Sequence, residues 1–412
     1  MSSGCKALAF IQQEAFCIVG LPPSDLTIYK MILTQCAVCA TELGLSLGKK
    51  CGRCSTRYCG PECQKQHWEG GGHDKLCKLI KKAGGAEQYN ANKKYAESVT
   101  VAAEACAEDT KGQTCYMCTQ AVHWKTKEGL VRMCACRGTA GFAHVSCLAE
   151  QAKILVADAE ENHSDDSQWH RWHRCGLCEQ RFQGVVDCAL GWACWKTYVG
   201  RLETDAARVL AMEVLGNGLD AADRDEDALV VREAELSTLR RLGLPEYAIL
   251  NSRANLATTY ERMGRRELAQ QMKRDVYSGR LKLYGEENDS TIRAAYSHAN
   301  SLRSLQRFDE AKSLLLKMTP LARRILGENH DITLAMRSSY ASALFEDADA
   351  TLNDIHQAVT TLEETERTAR RVFGGAHPLT VGIGNSLRLA RAALGARSVC
   401  EAMAAMTPPG DA

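Results

Sequence analysis

The chain has 412 residues, 45% of them hydrophobic and 25% charged, and its 51 Lys/Arg against 50 Asp/Glu leave a formal charge of +1. That length gives room for two to four domains and at least one sizeable core, which excludes a single small disulfide knot. The near-neutral balance excludes a global field drawing the chain to nucleic acid or an anionic membrane, and no run of 18 apolar residues offers a bilayer span.

At the start, Gln12, Gln13 and Glu14 interrupt the apolar stretch from Leu8 to Leu21, and no basic region precedes it. No secretory signal is expected, which points to the cytoplasm or the nucleus. Residues 1–35 suggest no role. The unusual feature is cysteine: 20 in all, 19 of them before residue 195 and only Cys400 after it. In a reducing compartment, paired cysteines read as metal ligands rather than disulfides. The sequence therefore has a cysteine-rich front and a helical back.

The first cluster runs Cys36-x2-Cys39-x11-Cys51-x2-Cys54-x4-Cys59-x3-Cys63-x9-His73-x3-Cys77. Eight ligands suffice for two closed tetrahedral sites. Two intervening residues let a turn aim both thiolates at one ion, and three place a pair on successive turns of a helix. A segment this short has almost no core, so metal must supply its folding energy. With Tyr58 before Cys59 and Gln64-Lys65-Gln66-His67-Trp68 after Cys63, residues 36–77 resemble the MYND zinc finger. The resemblance implies a cross-brace in which Cys36, Cys39, Cys59 and Cys63 hold one zinc and Cys51, Cys54, His73 and Cys77 the other. Gly70-Gly71-Gly72 lengthens the approach to His73 and leaves His67 as a rival ligand, otherwise a helix-surface residue; His73 is favoured. Over residues 36–82 the side chains contribute +5, two zinc ions +4 and seven thiolates −7, leaving about +2. With no aromatic interleaving among Lys75, Lys78, Lys81 and Lys82, a solvated helix face is expected and a nucleic-acid partner is not.

Residues 78–114 read as a helical linker. The second cluster follows as Cys115-x2-Cys118-x15-Cys134-x-Cys136-x7-His144-x2-Cys147-x27-Cys175-x2-Cys178. This order, with Met117 inside the first pair, Gly138-Thr139 after Cys136 and Leu148 after Cys147, resembles the RING-CH finger. The resemblance implies zinc on Cys115, Cys118, His144 and Cys147, and a second zinc on Cys134, Cys136, Cys175 and Cys178, for four ions in the chain. It also implies a ubiquitin ligase that docks a ubiquitin-conjugating enzyme and orders its thioester, a proximity effect with no catalytic side chain. Met117, Leu148 and Arg181 form the candidate docking surface. Glu150-Gln151-Ala152 stand where the family carries a Trp, and Glu179 follows the last ligand. The 27-residue gap holds an acidic loop from Asp158 to Ser167, then Trp169, His170, Trp172 and His173; Trp169 or Trp172 is expected to cover the zinc sites. Cys188 and Cys194, like Cys5, Cys17 and Cys106, read as buried thiols. Residues 179–204 read as a connector.

From about residue 205 to 395 the signal is repetition. Gly243, Gly285 and Gly327 are 42 residues apart, as are Ala257 and Ala299, Ala269 and Ala311, Arg265 and Arg307, and Thr291 and Thr333. His330 and His377 are 47 apart, which places five extra residues between Asp347 and Asp354. Each copy reads as two amphipathic helices closed by the recurring Gly, and such hairpins must stack to bury their faces. Leu326-Gly327-Glu328-Asn329-His330-Asp331 and Ala376-His377-Pro378-Leu379-Thr380 resemble the tetratricopeptide repeats of kinesin light chains, which implies an all-α solenoid presenting a groove to a protein or peptide. Three copies span 247–373, a degenerate one covers about 205–242, and Pro378 to Leu394 reads as a capping helix. Asn251, Asn255, Arg293, Asn300, Arg337 and Ser338 are the groove candidates, and 396–412 is a tail expected to be disordered at Thr407 to Ala412.

The fold class expected is thus small zinc-stabilised domains plus all-α. The function read from it is a zinc-binding interaction adaptor, with a RING-type ubiquitin ligase as the alternative and a MYND-mediated transcriptional co-regulator as the third reading. Residues 80–114 and 180–205 are too short for the SET domain that some methyltransferases split around a MYND finger. There is no Gly-x4-Gly-Lys phosphate loop and no Gly-x-Ser-x-Gly elbow. With no metal site in the helical half, chelation is expected to unfold residues 36–178 and to spare the helices.

Overall fold

A computed structural model describes residues 36–39, 41, 43, 48–162, 166–375 and 377–406, without side chains at 166–167 and 399–406. Residues 1–35 with Cys5 and Cys17, the centre of the acidic loop and the end of the tail from Thr407 lie outside these. The chain divides into two compact units, Met1–Lys94 and Tyr95–Ala412.

In the first unit, β1 (Lys49–Lys50) pairs antiparallel with β2 (Arg57–Tyr58), followed by α1 (Pro61–Glu69) and α2 (His73–Ala83). Pro61 opens α1, where its missing N–H costs nothing. On α2, His73, Cys77 and Ile80 are buried at helical spacing, so one face carries two candidate ligands and a core residue. Apart from cysteines the core here is Ala37, Leu43, Tyr58, Ile80 and Ala86. So few apolar side chains cannot hold a fold alone. α3 (Ala86–Ala105) follows.

The second unit takes in α3 from Tyr95, then irregular chain clasped by the Val131–Ala143 bridge, α4 (Val145–Glu161), a 3-10 turn (Asp166–Trp172), the Arg174–Arg181 bridge and α5 (Gly184–Tyr198). Its core joins Val99 and Ala102 of α3, Leu130, Val131, Phe142, Val145 and Leu148, and Val186, Ala189 and Leu190 of α5. The expected connector is therefore corrected: α5 is buried from Val186 through Trp195. It lacks the polar face of a surface helix because the finger covers one side and α6 (Ala206–Ala221) the other. A Cβ on Gly218 would lie 2.6 Å from the Asp187 carbonyl oxygen, so α5 and α6 meet backbone to backbone. Trp169 and Trp172 lie on Tyr198 at the end of α5, with ring centroids 5.1 and 5.9 Å away, where they were expected over the zinc sites.

From α6 the chain stacks as α7 (Asp225–Arg241), α8 (Glu246–Arg262), α9 (Arg266–Tyr284), α10 (Asp289–Ser304), α11 (Phe308–Ile325), α12 (Asp331–Phe345), α13 (Leu352–Phe373) and α14 (Pro378–Met406), each on the next. The repeated positions Ala257, Ala299, Ala269, Ala311, Thr291 and Thr333 are fully buried, which accounts for them as packing residues. Gly243, Gly285, Gly327 and Gly374 all have positive φ, between 62° and 100°, where side chains are strained. The five extra residues are not confined to a turn. The α12–α13 turn is longer than its counterparts, started afresh by a Thr351–Asp354 capping box, and α13 itself is longer than α9 or α11. α14 runs well past Leu394, so the tail expected from 396 is helical as far as Met406. No helix among the described residues is long and apolar enough to cross a membrane.

Candidate metal centres

Four groups of ligand-type side chains converge: Cys36, Cys39, Cys59 and Cys63; Cys51, Cys54, His73 and Cys77; Cys115, Cys118, His144 and Cys147; and Cys134, Cys136, Cys175 and Cys178. In each, one donor atom per residue lies within 4.8 Å of the other three. The two ends of each finger interleave, as a cross-brace requires.

Local backbone explains the convergence. In all four Cys-x2-Cys pairs the first cysteine's N–H donates to the carbonyl five residues on, at 2.7 Å for Cys36–Thr41 and Cys51–Thr56, 3.0 Å for Cys115–Gln120 and 2.9 Å for Cys175–Gln180. Ser55, Thr119 and Glu179 close the turn at positive φ and donate back to Cys51, Cys115 and Cys175. The Met117 and Leu177 N–H groups point at Cys115 and Cys175 Sγ, 3.4 and 3.5 Å away, a polarity suited to thiolates. His144 caps α4 and Cys147 lies in its first turn. Gly141, at φ +84°, passes so close that a Cβ would stand 2.6 Å from Cys136 Cβ. Sequence reasoning missed this residue, since the proximity arises only after the loop folds back.

Of the rival histidines, His73 joins the group, its Nε2 3.3 Å from Cys54 Sγ. His67 is outside it, with Nδ1 2.9 Å from Tyr58 Oη. The helix-surface reading of His67 is corrected: it is only 7% exposed, because β2 sets the Tyr58 hydroxyl beneath α1. Burial, then the neighbouring His73, pushes its pKa down to about 4.

Distance and charge both bear on whether the groups suit zinc. Zinc with bonds of about 2.3 Å to sulfur has tetrahedral edges of about 3.8 Å. The observed separations include 3.4 Å for Cys39–Cys59, 3.8 Å for Cys51–Cys77, 3.7 Å for Cys136–Cys175 and 3.3 Å for Cys118 Sγ–His144 Nδ1. Without a cation the thiols oppose one another. A hydrogen bond from Cys134 lowers Cys175, and the same bond, then burial, raises Cys134; the bond to Thr41 lowers Cys39, while the bond to Cys59 raises Cys63. In each group one thiolate forms readily, at Cys39, Cys51, Cys115 and Cys175, while a neighbour resists, at Cys63, Cys77, Cys147 and Cys134, the imbalance a dication relieves. The residues fit zinc.

The candidate docking residues do not form one surface. Met117 is partly exposed, but Leu148 is 5% exposed and faces the core from the first turn of α4. Arg181 is half-exposed with Nη2 3.5 Å from Asp187, and Glu179 pairs with Arg171 at 3.0 Å. Of the solenoid groove candidates, Ser338 is buried and Arg293 and Arg337 are paired with Asp289 and Glu364. Asn251 accepts from Arg280 and Asn300 from Ser339, while Asn255 is half-buried. Cys106, Cys188 and Cys194 are buried thiols outside the four groups, as expected.

Against known proteins, the MYND finger family matches residues 36–77. Those residues form a MYND zinc finger. No curated protein sequence matches the chain. Among solved structures, a Podosopora anserina protein described as a kinesin light chain with nearly identical TPR-like repeats is 16% identical, over 56% of this chain and 98% of that one, at a TM-score of 0.38. A single-site variant of it gives 17% over 55% and 97%, at 0.37. BtubC (BKLC) from P. vanneervenii is 13% identical over 65% of this chain and 95% of that one, at 0.37.

Proposed function

We propose that the chain is a zinc-binding protein-interaction adaptor, with a MYND finger at 36–77, a RING-CH-like finger at 115–178 and a tetratricopeptide-type solenoid following it. The sixteen residues of the four groups hold four zinc ions. The observation that carries this reading is that every group supplies four protein donors of its own. A zinc with four protein ligands has no open position for water, so its role is to fold a surface rather than to hydrolyse a bond. Quantitative affinity capture with the zinc-loaded full chain tests it. Cys54→Ser and Cys178→Ser should each remove a different subset of bound proteins. A chain that retains no protein, or whose bound set ignores both substitutions, contradicts the adaptor reading.

The ubiquitin-ligase reading keeps one supporting observation, the exposed edge of Met117, and has lost Leu148 to the core. A panel of ubiquitin-conjugating enzymes showing neither chain building nor accelerated thioester discharge with the zinc-loaded chain would remove it. The co-regulator reading rests on the MYND finger alone and requires nuclear localisation.

A further inference from the structure

Residues 123–128 repeat the hydrogen-bond plan of the metal-binding turns without a cysteine. The His123 N–H donates to the Glu128 carbonyl at 3.0 Å, the Lys127 N–H returns to the His123 carbonyl at 3.0 Å, and Lys127 has φ +61°. His123 Nδ1 stands where a cysteine sulfur would, 3.2 Å from the Thr126 N–H and 2.8 Å from its hydroxyl. This turn belongs to none of the four metal groups. It carries Trp124 at 68% exposure. An aromatic left in water on a braced turn costs apolar hydration and loses little conformational entropy when covered, the profile of a binding hot spot.

Trp124 lines a groove of about 1170 Å³ together with Met117 and, from α4, Ala149. That exceeds the roughly 300–1,000 Å³ of a small-molecule site and suits a peptide. Ile154, also exposed, edges it from α4. The charged side chains lining it are Lys125, Lys153 and Lys196 against Glu150, which pairs with Lys153 at 3.4 Å, a local excess of positive charge in a chain whose formal charge is only +1.

We propose that this groove takes an acidic peptide segment whose aromatic or leucine side chain packs on Trp124 and Ile154 while its carboxylates face Lys125 and Lys153. The proposal rests on the adaptor reading and names one of its docking sites. Random 12-residue peptides displayed on phage are selected on the immobilised, zinc-loaded full chain, and the enriched peptides are then measured with a fluorescein label. Enriched sequences should pair an aromatic or leucine with at least two Asp/Glu. Trp124→Ala should weaken them roughly tenfold or more, and so should Lys125→Glu with Lys153→Glu. Because Trp124 is exposed, the fold should tolerate its replacement, and Ile154→Ala, weakening binding with an unchanged melting curve, gives an independent reading. Enriched peptides that lack acids, or whose affinity ignores all these substitutions, overturn the groove and leave the adaptor reading standing. Failure to enrich any peptide counts against both.

Discussion

The two fingers share ligand chemistry and turn geometry but differ in what surrounds them. The finger at 36–77 has a core of cysteines and a few small or single apolar residues. The finger at 115–178 shares its core with α3, α4 and α5, and α5 in turn is packed backbone to backbone on the first solenoid helix. Under the proposed zinc reading, the comparison teaches that metal stabilises a local fold in one case and a long-range packing arrangement in the other. The expectation that the helical half ignores chelation is therefore revised: the second finger and the helices belong to one compact unit.

The largest effect to expect is from metal removal, since structural zinc contributes about 10–16 kcal/mol per site in small fingers. Hydrogen exchange after chelation should show protection lost from β1 to α2 in the first finger. In the second unit the loss should run through α5 and into α6, with α10 to α13 still protected. Full protection of α5 and α6 in metal-free protein would break the comparison.

Next comes a pair of glycine substitutions. Gly141→Ala places a Cβ at 2.6 Å from Cys136 on a positive-φ backbone, and should cost about 2 kcal/mol or more and release metal from the second finger. Gly72→Ala, also at positive φ but with open space around it, should cost only about 1 kcal/mol and leave the first finger loaded. Equal losses in thermal melts would deny that the second site is the more closely packed.

Within the solenoid, Gly285→Val or Gly327→Val should lower stability by about 1–2 kcal/mol, because φ is +76° and +100° with no neighbour for a side chain to strike. Chemical denaturation measures it, and unchanged stability would mean that these helix ends rearrange freely.

A pH-dependent effect concerns Glu235, buried beside Arg232 with Oε2 3.4 Å from Nη1. Burial raises its carboxyl to about 7, so the folded chain holds a proton that the unfolded carboxyl, near 4.3, gives up. Stability from this group therefore falls as pH rises from about 4 to about 7 and is level above. Glu235→Gln should remove that slope, seen as a melting-temperature advantage over wild type that grows from pH 5 to pH 7.5.

What the sequence made legible was whatever depends on spacing along one element. Ten of the sixteen converging positions follow from the four Cys-x2-Cys turns and from His73 and Cys77 sharing a face of α2, and the 42-residue period announced buried Ala257, Ala299 and Ala311. What stayed hidden depends on partners distant in sequence. The burial of His67 needs the Tyr58 hydroxyl, the burial of Leu148 needs the strand-like pairing of Val131 with Ala143, and Gly141 matters only where the loop returns to Cys136. The α5 segment was illegible for a different reason: apolar on all sides, it has no period, so it read as a connector. The turn at His123 escaped because its hydrogen bonds imitate a zinc turn without any cysteine to mark it.

The central claim is that both fingers are complete metal sites, and native mass spectrometry of the purified full chain tests it most directly. The account predicts four zinc ions per chain. A reproducible content of two, with the protein folded, would contradict it and leave one finger as a fold held without metal.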